Sequence, residues 1–407
     1  MLSPVNTHSN MPGFDLLVVG DGAIGMSVAI EFARRHPDAR VAIIAPNGRA
    51  NAASTAAGLM INAFAELEIG QLDDPRGRAR FDLVRTAVQC WPDWLAELGR
   101  VADIAPPLIR PGTIILGGGR ADAVEDRTMA IIKQALVAFK EPHQELNPRD
   151  VPGYHPAPSH QVGNAIFLPR EGGIPALEVI SLLDRAANAM SIHRINSHAT
   201  GLGRTDHGCS VRMTDGRQVH GHRVVVAAGV QSTPLLDTLP ELQGRCPRML
   251  HGVGRAYRIH HAGQRTRPQT VLRSPNRASG GGFHIVPFNE HTAYVGASNH
   301  TTDHPGVSHP DDVFPLHEVA NHLNIDLRNA RIEPLIGYRP IPGDGCPLFG
   351  RTAVPSVTVA TGTRRDGFTA APVIARLLVD SMCGKTDLLP DVFRPDRGDL
   401  PTIASTA

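Results

Sequence analysis

The chain has 407 residues, with 40 Lys and Arg against 39 Asp and Glu and a formal net charge of +1 at pH 7. That length exceeds one small core and implies two domains, and the near balance of charge excludes a long-range field that would collect nucleic acid or an acidic membrane surface. No run of about 18 apolar residues is present to span a bilayer, and the scattered cysteines (Cys90, Cys209, Cys246, Cys346, Cys383) lack metal-type spacing and read as reduced thiols of a cytoplasmic protein.

The opening MLSPVNTHSNMPG lacks a basic start followed by an apolar run, so a tail is expected there and not a signal peptide. Phe14 to Val19 reads as a buried strand, broken by Gly20-Asp21-Gly22. Ile24, Val28, Ala29, Phe32 and Ala33 then recur at helical spacing up to His36, where Pro37 stops the helix, and Val41 to Ala45 is a second strand. In this β-α-β unit Gly20 allows a tight turn, Gly22 allows close approach of a pyrophosphate, and Gly25 allows close packing of helix on strand. Ala23 and Ile24 open the helix, whose first amides are donors for phosphate. The turn alone does not separate NAD from FAD. The second strand ends in Ala45-Pro46-Asn47, with no acid for the ribose hydroxyls and Arg49 only nearby. Either Asn47 or a hydroxyl such as Ser54 contacts the ribose, or the nucleotide site has degenerated; the otherwise intact turn favours the first.

Helices are expected near 75–98, 121–140 and 177–189, and strands at 112–119 and 223–230. Residues 240–300 are strand-rich and include a hairpin with Asn289-Glu290-His291 near its turn. A strand at 356–362, a loop and a helix at 368–383 follow. Parallel-type strands at both ends, with antiparallel-type strands between, predict an α/β fold with a discontinuous cofactor domain (14–90, 155–236 and 334–390). A second domain would occupy 91–154 and 237–333, with tails at 1–13 and 391–407.

Three stretches, NAASTAAGLMINAFAELE (51–68), IGYRPIPGDGCPLFGR (336–351) and VTVATGTRRDGFTAAPVIARLLVD (357–380), join Gly20–Gly25 in one pattern. Together they resemble the D-amino-acid oxidase superfamily of FAD-dependent oxidoreductases, nearest its glycine oxidase branch. VVVAAGVQSTPLL (224–236) looks like the family's segment under the adenine half of FAD, with Ala228 and Gly229 at its turn. The resemblance implies a Rossmann-like FAD-binding domain of the glutathione-reductase type with an inserted antiparallel β-sheet substrate domain. It implies that Ser54, Thr55, Ala57 and Gly58 let backbone pass close to the cofactor, with Met60 and Asn62 beyond them at the pocket. It further implies that Gly362, Arg365, Asp366, Gly367, Phe368 and Thr369 form a turn and helix start facing the pyrimidine edge of the flavin. Donors and the helix dipole there would stabilise the charge that reduction creates.

By the same resemblance Arg339, in GYRP, holds the substrate carboxylate, a task suited to the planar guanidinium fork. Arg365 occupies the slot of a second family Arg near the site mouth, and Arg364 stands where glycine oxidase has an apolar residue. One of the pair would meet a second anionic group, or both are solvated loop charges. His284 takes the place of a Tyr over the substrate and would hydrogen-bond it or accept a proton from its ammonium; the other reading is a strand His in the sheet. His291, His300, His304 and His309 match no metal spacing, and no metal is expected. Cys346 falls nine residues after Gly337, which matches the flavin-linked Cys of the sarcosine-oxidase branch, so FAD is expected to be non-covalent. The implied activity is oxidation of an amino acid or related carboxylated amine by hydride transfer from its α-carbon to flavin N5. The products would be an imine, then an oxo acid, with O2 reduced to H2O2. The alternatives are a same-fold dehydrogenase with another electron acceptor and a non-catalytic nucleotide-binding protein. The expected partners are a small amine or amino acid and O2, with no nucleic acid and no membrane; homo-oligomerisation is left open.

Overall fold

Runs of Leu, Val and Ile with no polar face build a central sheet covered on both sides. The computed structural model describes residues 13–118, 123–260, 268–276, 282–302, 309–385 and 389–397. Five parallel strands lie in the order β18 (Val357–Thr361), β10 (Gln218–Val226), β1 (Phe14–Val19), β2 (Val41–Ala45), β7 (His193–Asn196). β17 (Leu348–Arg351) adds antiparallel beside β18, and β8 (Ala199–Thr205) and β9 (Gly208–Met213) form a ribbon on β10. One face packs Leu16, Val18 and Ile43 under α1 (Ala23–Arg35), α2 (Pro75–Ala102), α4 (Ala176–Ala189) and α7 (Gly367–Met382). The other face buries Leu17, Val19, Ile44 and Val226 together with the short α5 (Ser232–Leu236).

The second sheet follows the order β15 (His300–Thr302), β11 (Met249–His260), β14 (Thr292–Gly296), β13 (His284–Pro287), β12 (Val271–Arg273), β4 (Arg110–Gly117), β6 (Asn164–Gly173), β3 (Met60–Ile61). β16 (Arg331–Pro342) pairs along β11 and β5 (Gln144–Leu146) along β6, while α3 (Ala123–Ala138) and α6 (Phe314–Leu323) pack against this sheet. The expected hairpin is β13–β14, with Asn289-Glu290-His291 in its turn.

Two differences from the sequence reading have local causes. The strand expected over 223–230 ends at Val226, because Gly229 adopts φ +58 and starts a 3-10 turn over Gly229–Gln231. The helix expected to 98 runs on to Ala102, passes through Pro92, and stops where Asp103 turns left-handed. Sheet membership also cuts across the expected segments, since residue 90 lies inside α2 and β6 pairs in the second sheet. No helix of the described residues is long and apolar enough to cross a membrane.

Candidate functional site

A cavity of about 980 Å³ runs from the carboxyl ends of the parallel strands to the second sheet. Its position outside the ends of β1 and β10 is where open α/β sheets bind ligands. Gly20, Gly22, Ala23 and Ile24 line one end. Gly25 lies behind them, and a Cβ on it would collide with the Gly20 carbonyl oxygen, which is the close helix–strand packing expected of it. Gly20 sits at φ +106, a conformation only glycine adopts freely. The Ala23 amide donates to Ser54 Oγ at 3.0 Å, so Ser54 caps α1 while its own proton remains to donate. A Cβ on Gly22 would lie 3.3 Å from that oxygen. The turn is therefore a concave, donor-rich cradle at a helix N-terminus, which suits the diphosphate of a dinucleotide.

The expected ribose end is organised differently from the sequence reading. Asn47 lines the cavity but is exposed, and its backbone amide donates to Asn196 Oδ1 at 3.0 Å. Arg49 bridges Asp21 Oδ2 at 2.9 Å and Asp184, and Arg194 contacts the same two acids. Asp21, inside the glycine turn, thus joins Arg49, Asp184 and Arg194 in one ion-pair cluster. Sequence reasoning missed this cluster because Asp184 and Arg194 arrive from distant segments.

Ala57, Gly58, Met60, Ala228 and Gly229 line the middle of the cavity. Thr55 does not: its hydroxyl turns back to the Ala52 carbonyl at 3.0 Å and closes the 52–55 turn. Gly362 is likewise off the cavity wall, with φ +72 and packed against Pro342 and Leu348. Asp366, Gly367, Phe368 and Thr369 bring the start of α7 to the wall. The first amides of this helix lack intrahelical acceptors, and the positive end of its dipole lies there. Thr369 Oγ1 donates to the Met60 carbonyl at 3.0 Å, fixing α7 against β3. Asn62 Oδ1 accepts from Thr113 Oγ1 at 2.9 Å, yet its buried Nδ2 has no hydrogen-bond partner among the described residues, and Asn62 lines the cavity. An orphaned buried donor facing a cavity is a site for a ligand acceptor.

At the other end, Arg339 projects from β16. Its Nη1 donates to Asn299 Oδ1 at 3.0 Å and to the Ser298 carbonyl at 3.3 Å. Among the described residues it forms no ion pair with a carboxylate. Burial lowers its pKa from the ordinary value, and the Arg365 cation adds to that. Gly254, on the paired strand, makes room for it, since a Cβ there would collide with the guanidinium.

His284 lines the cavity floor, stacked on Tyr294 with centroids 5.6 Å apart. Burial, then the Arg273 cation, push its pKa down to about 3, so the ring is neutral near pH 7. A neutral ring of that basicity is a hydrogen-bonding partner and a poor proton acceptor.

Arg364 and Arg365 are not solvated loop charges. Arg365 donates to Glu68 at 2.7 Å and to Asn276 at 3.1 Å, and lies 3.6 Å from Glu66. Arg364 reaches Glu68 at 3.2 and 3.3 Å, Arg80 reaches it at 2.7 Å, and Arg273 pairs with Glu66. Burial pushes Glu66 and Glu68 up, but Arg273 and Arg365 hold Glu66 down at about 2. Arg365, Arg364 and Arg80 hold Glu68 well below the usual range. Sequence reasoning missed Glu66 and Glu68; the only signal was two acids closing the conspicuous 51–68 stretch.

Cys346 is buried away from the cavity, its thiol directed to the Val392 carbonyl at 3.5 Å and pushed up to about 11 by burial. Gly337 lines the wall instead. His291 sits in the hairpin turn and His304 lies outside the described residues. His300 and His309 meet with ring centroids 3.9 Å apart beside Asp311, a proximity their spacing did not predict. A second group, His160, His317 and Glu318, lies on and beside α6.

The family profile described as "DAO: FAD dependent oxidoreductase" matches residues 15–381. A bifunctional protein ThiO/ThiG from Nostoc sp. is 22% identical over 370 residues, covering 90% of this chain and 52% of that protein. The chain therefore spans about half the length of that curated relative. A glycine oxidase from Geobacillus kaustophilus is 25% identical over 385 residues, covering 90% of this chain and 92% of that one. The crystal structure of glycine oxidase from Bacillus cereus superposes with a TM-score of 0.75 at 19% identity, covering 92% and 96% of the two chains, and so shares the fold. With the glycine cradle, the two-sheet cavity and a profile match over nearly the whole chain, this protein belongs to the DAO family of FAD-dependent oxidoreductases.

Proposed function

We propose that this chain is an oxidase of a carboxylated amine, turning an amino acid or a close relative into its imine and then its oxo acid, with O2 reduced to H2O2. The observation that carries this reading is Arg339, a cavity-lining guanidinium with two neutral acceptors and no acidic partner among the described residues. An unmatched cation on a cavity wall is a site for an anion, and the planar fork suits a carboxylate.

FAD fits the remaining wall. Gly20, Gly22 and the first amides of α1 would hold its diphosphate without covalent attachment. Ser54 and Asn47 would serve the ribose, Ala228 and Gly229 the adenine half, and Gly58, Met60 and the start of α7 at Gly367–Thr369 the flavin. When bound, FAD supplies the two-electron acceptor that the protein's own side chains lack.

The side chains of this chain do the binding and positioning. Arg339 fixes the carboxylate and so orients the α-carbon. His284, neutral, hydrogen-bonds the bound substrate. The cations Arg339, Arg273 and Arg365 around the site disfavour an ammonium there, so the amine binds in its neutral form without a dedicated base. Tyr294, whose hydroxyl donates to the Ala56 carbonyl at 3.2 Å, closes the floor beside His284 and keeps water out.

The test is an H2O2-release screen of the purified yellow protein over glycine, N-methylglycine, D-amino acids and larger amino acids. Stoichiometric H2O2 with one carboxylated amine is expected. Oxidation that proceeds only with an artificial dye acceptor would make the protein a dehydrogenase, and a colourless protein that FAD cannot reconstitute would make it non-catalytic.

A further inference from the structure

The substrate end of the cavity is lined by Arg273, Arg339, Arg364 and Arg365, with Arg80 immediately behind them. Among the described residues, the carboxylates facing these five guanidinium groups are Glu66, Glu68 and Asp366. Glu68 is shared by Arg80, Arg364 and Arg365, and Asp366 lies 3.6 Å from Arg80. Glu66 answers Arg273 and, at 3.6 Å, Arg365. Glu171 lies near Arg273 but off the cavity wall, with its oxygens taken by the amides of Ala63, Phe64 and Ala65. Among the described residues positive charge thus exceeds negative here at two places, at Arg339, which has no acid, and at the corner, where Arg80, Arg273, Arg364 and Arg365 share Glu66, Glu68 and Asp366.

The two places are adjacent. The Arg364 amide donates to the carbonyl of Pro340, the residue after Arg339, at 3.0 Å. Arg364 itself is held at φ 51, a conformation costly for a residue other than glycine, and the Glu68 contacts fix where its guanidinium and that of Arg365 point. A substrate with one carboxylate would answer Arg339 and leave the corner with excess charge on half-buried guanidinium groups.

We propose that the amine oxidised here carries two carboxylates, one received by Arg339 and the other by the Arg364–Arg365 corner. This rests on the carboxylated-amine reading above and narrows it to a substrate class.

The test uses the FAD-loaded protein and acids that have no amine and so cannot be oxidised. Oxydiacetate carries two carboxylates; methoxyacetate and the monomethyl ester of oxydiacetate carry one. Their dissociation constants are measured by isothermal titration. One added charge-assisted contact corresponds to about ten- to a hundredfold in affinity. Oxydiacetate is therefore expected to bind that much more tightly than both monoacids. In Arg364→Gln and Arg365→Gln the ratio should fall toward one, whereas Arg339→Gln should weaken all three acids. The wild-type series decides even where a variant does not fold. Equal affinity of the diacid and the monoacids overturns the inference and leaves the carboxylated-amine reading standing. If none of the acids binds, the anion role of Arg339 fails and the two-carboxylate inference fails with it.

Discussion

In the proposed reaction Arg339 is the residue on which the chemistry turns. Replacing it with Lys keeps a charge and loses the two-pronged geometry; replacing it with Ala removes both. A charge-assisted contact contributes roughly 1.5–3 kcal/mol, so the Ala variant should lose about one to two decades in kcat/KM on a carboxylated amine. It should lose far less on the matching decarboxylated amine, with an unchanged flavin spectrum. Equal losses on both would mean that Arg339 supports the fold or the cofactor. His284 gives a prediction in pH. The unfolded chain binds its proton near 6.5 and the folded site refuses it until about 3, so the folded state binds fewer protons between those values and stability falls as pH drops through that window. The same neutrality predicts no limb near pH 6.5 in kcat/KM that belongs to His284; a limb there that disappears in His284→Gln would contradict it. The cavity positions of Arg339 and His284 were legible because each sits in a motif with a recognisable pattern. The carboxylates that restrain Arg364 and Arg365 were not, because ion pairing between residues nearly three hundred positions apart is set by tertiary packing.

At the scale of elements, the glycine turn and the two apolar strands around it were legible from composition and period alone. Gly22→Val would place a branched side chain against Ser54 Oγ and in the expected path of the diphosphate. The purified variant should be folded but depleted of FAD, and full occupancy measured by released flavin would show that the turn does another job. The clamp formed by Glu171 was invisible in the sequence. Its buried carboxylate, on β6, accepts from the amides of Ala63, Phe64 and Ala65 at 2.8, 2.6 and 3.2 Å. That segment carries Asn62 on one side and Glu66 and Glu68 on the other, so the clamp positions part of the cavity wall. Glu171→Gln would set an amide donor against these backbone donors, and urea unfolding should show a loss of about 1–3 kcal/mol. An unchanged midpoint and slope would mean that the three amides find other acceptors.

Across the whole molecule, the cavity exists only because segments far apart in sequence meet between two sheets. The amino-terminal unit brings the cradle, residues 51–68 bring the strip along the middle, and β16 and α7 bring Arg339 and the second helix N-terminus. The two-sheet plan was legible from parallel-type strands at both ends and antiparallel-type strands between, but strand membership was not, since β6 pairs by contacts that no local pattern encodes. Because so many segments meet at one cavity, bound FAD should stabilise the whole fold, with the melting temperature rising as free FAD is added. The most direct measurement mixes the FAD-loaded protein, free of oxygen, with a carboxylated amine active in the H2O2 screen and, separately, with its decarboxylated counterpart. Rapid loss of the visible flavin band is expected with the first and little with the second, with recovery of the band and release of H2O2 when air is admitted. Bleaching at the same rate by both amines, or by neither, would contradict the carboxylated-amine reading.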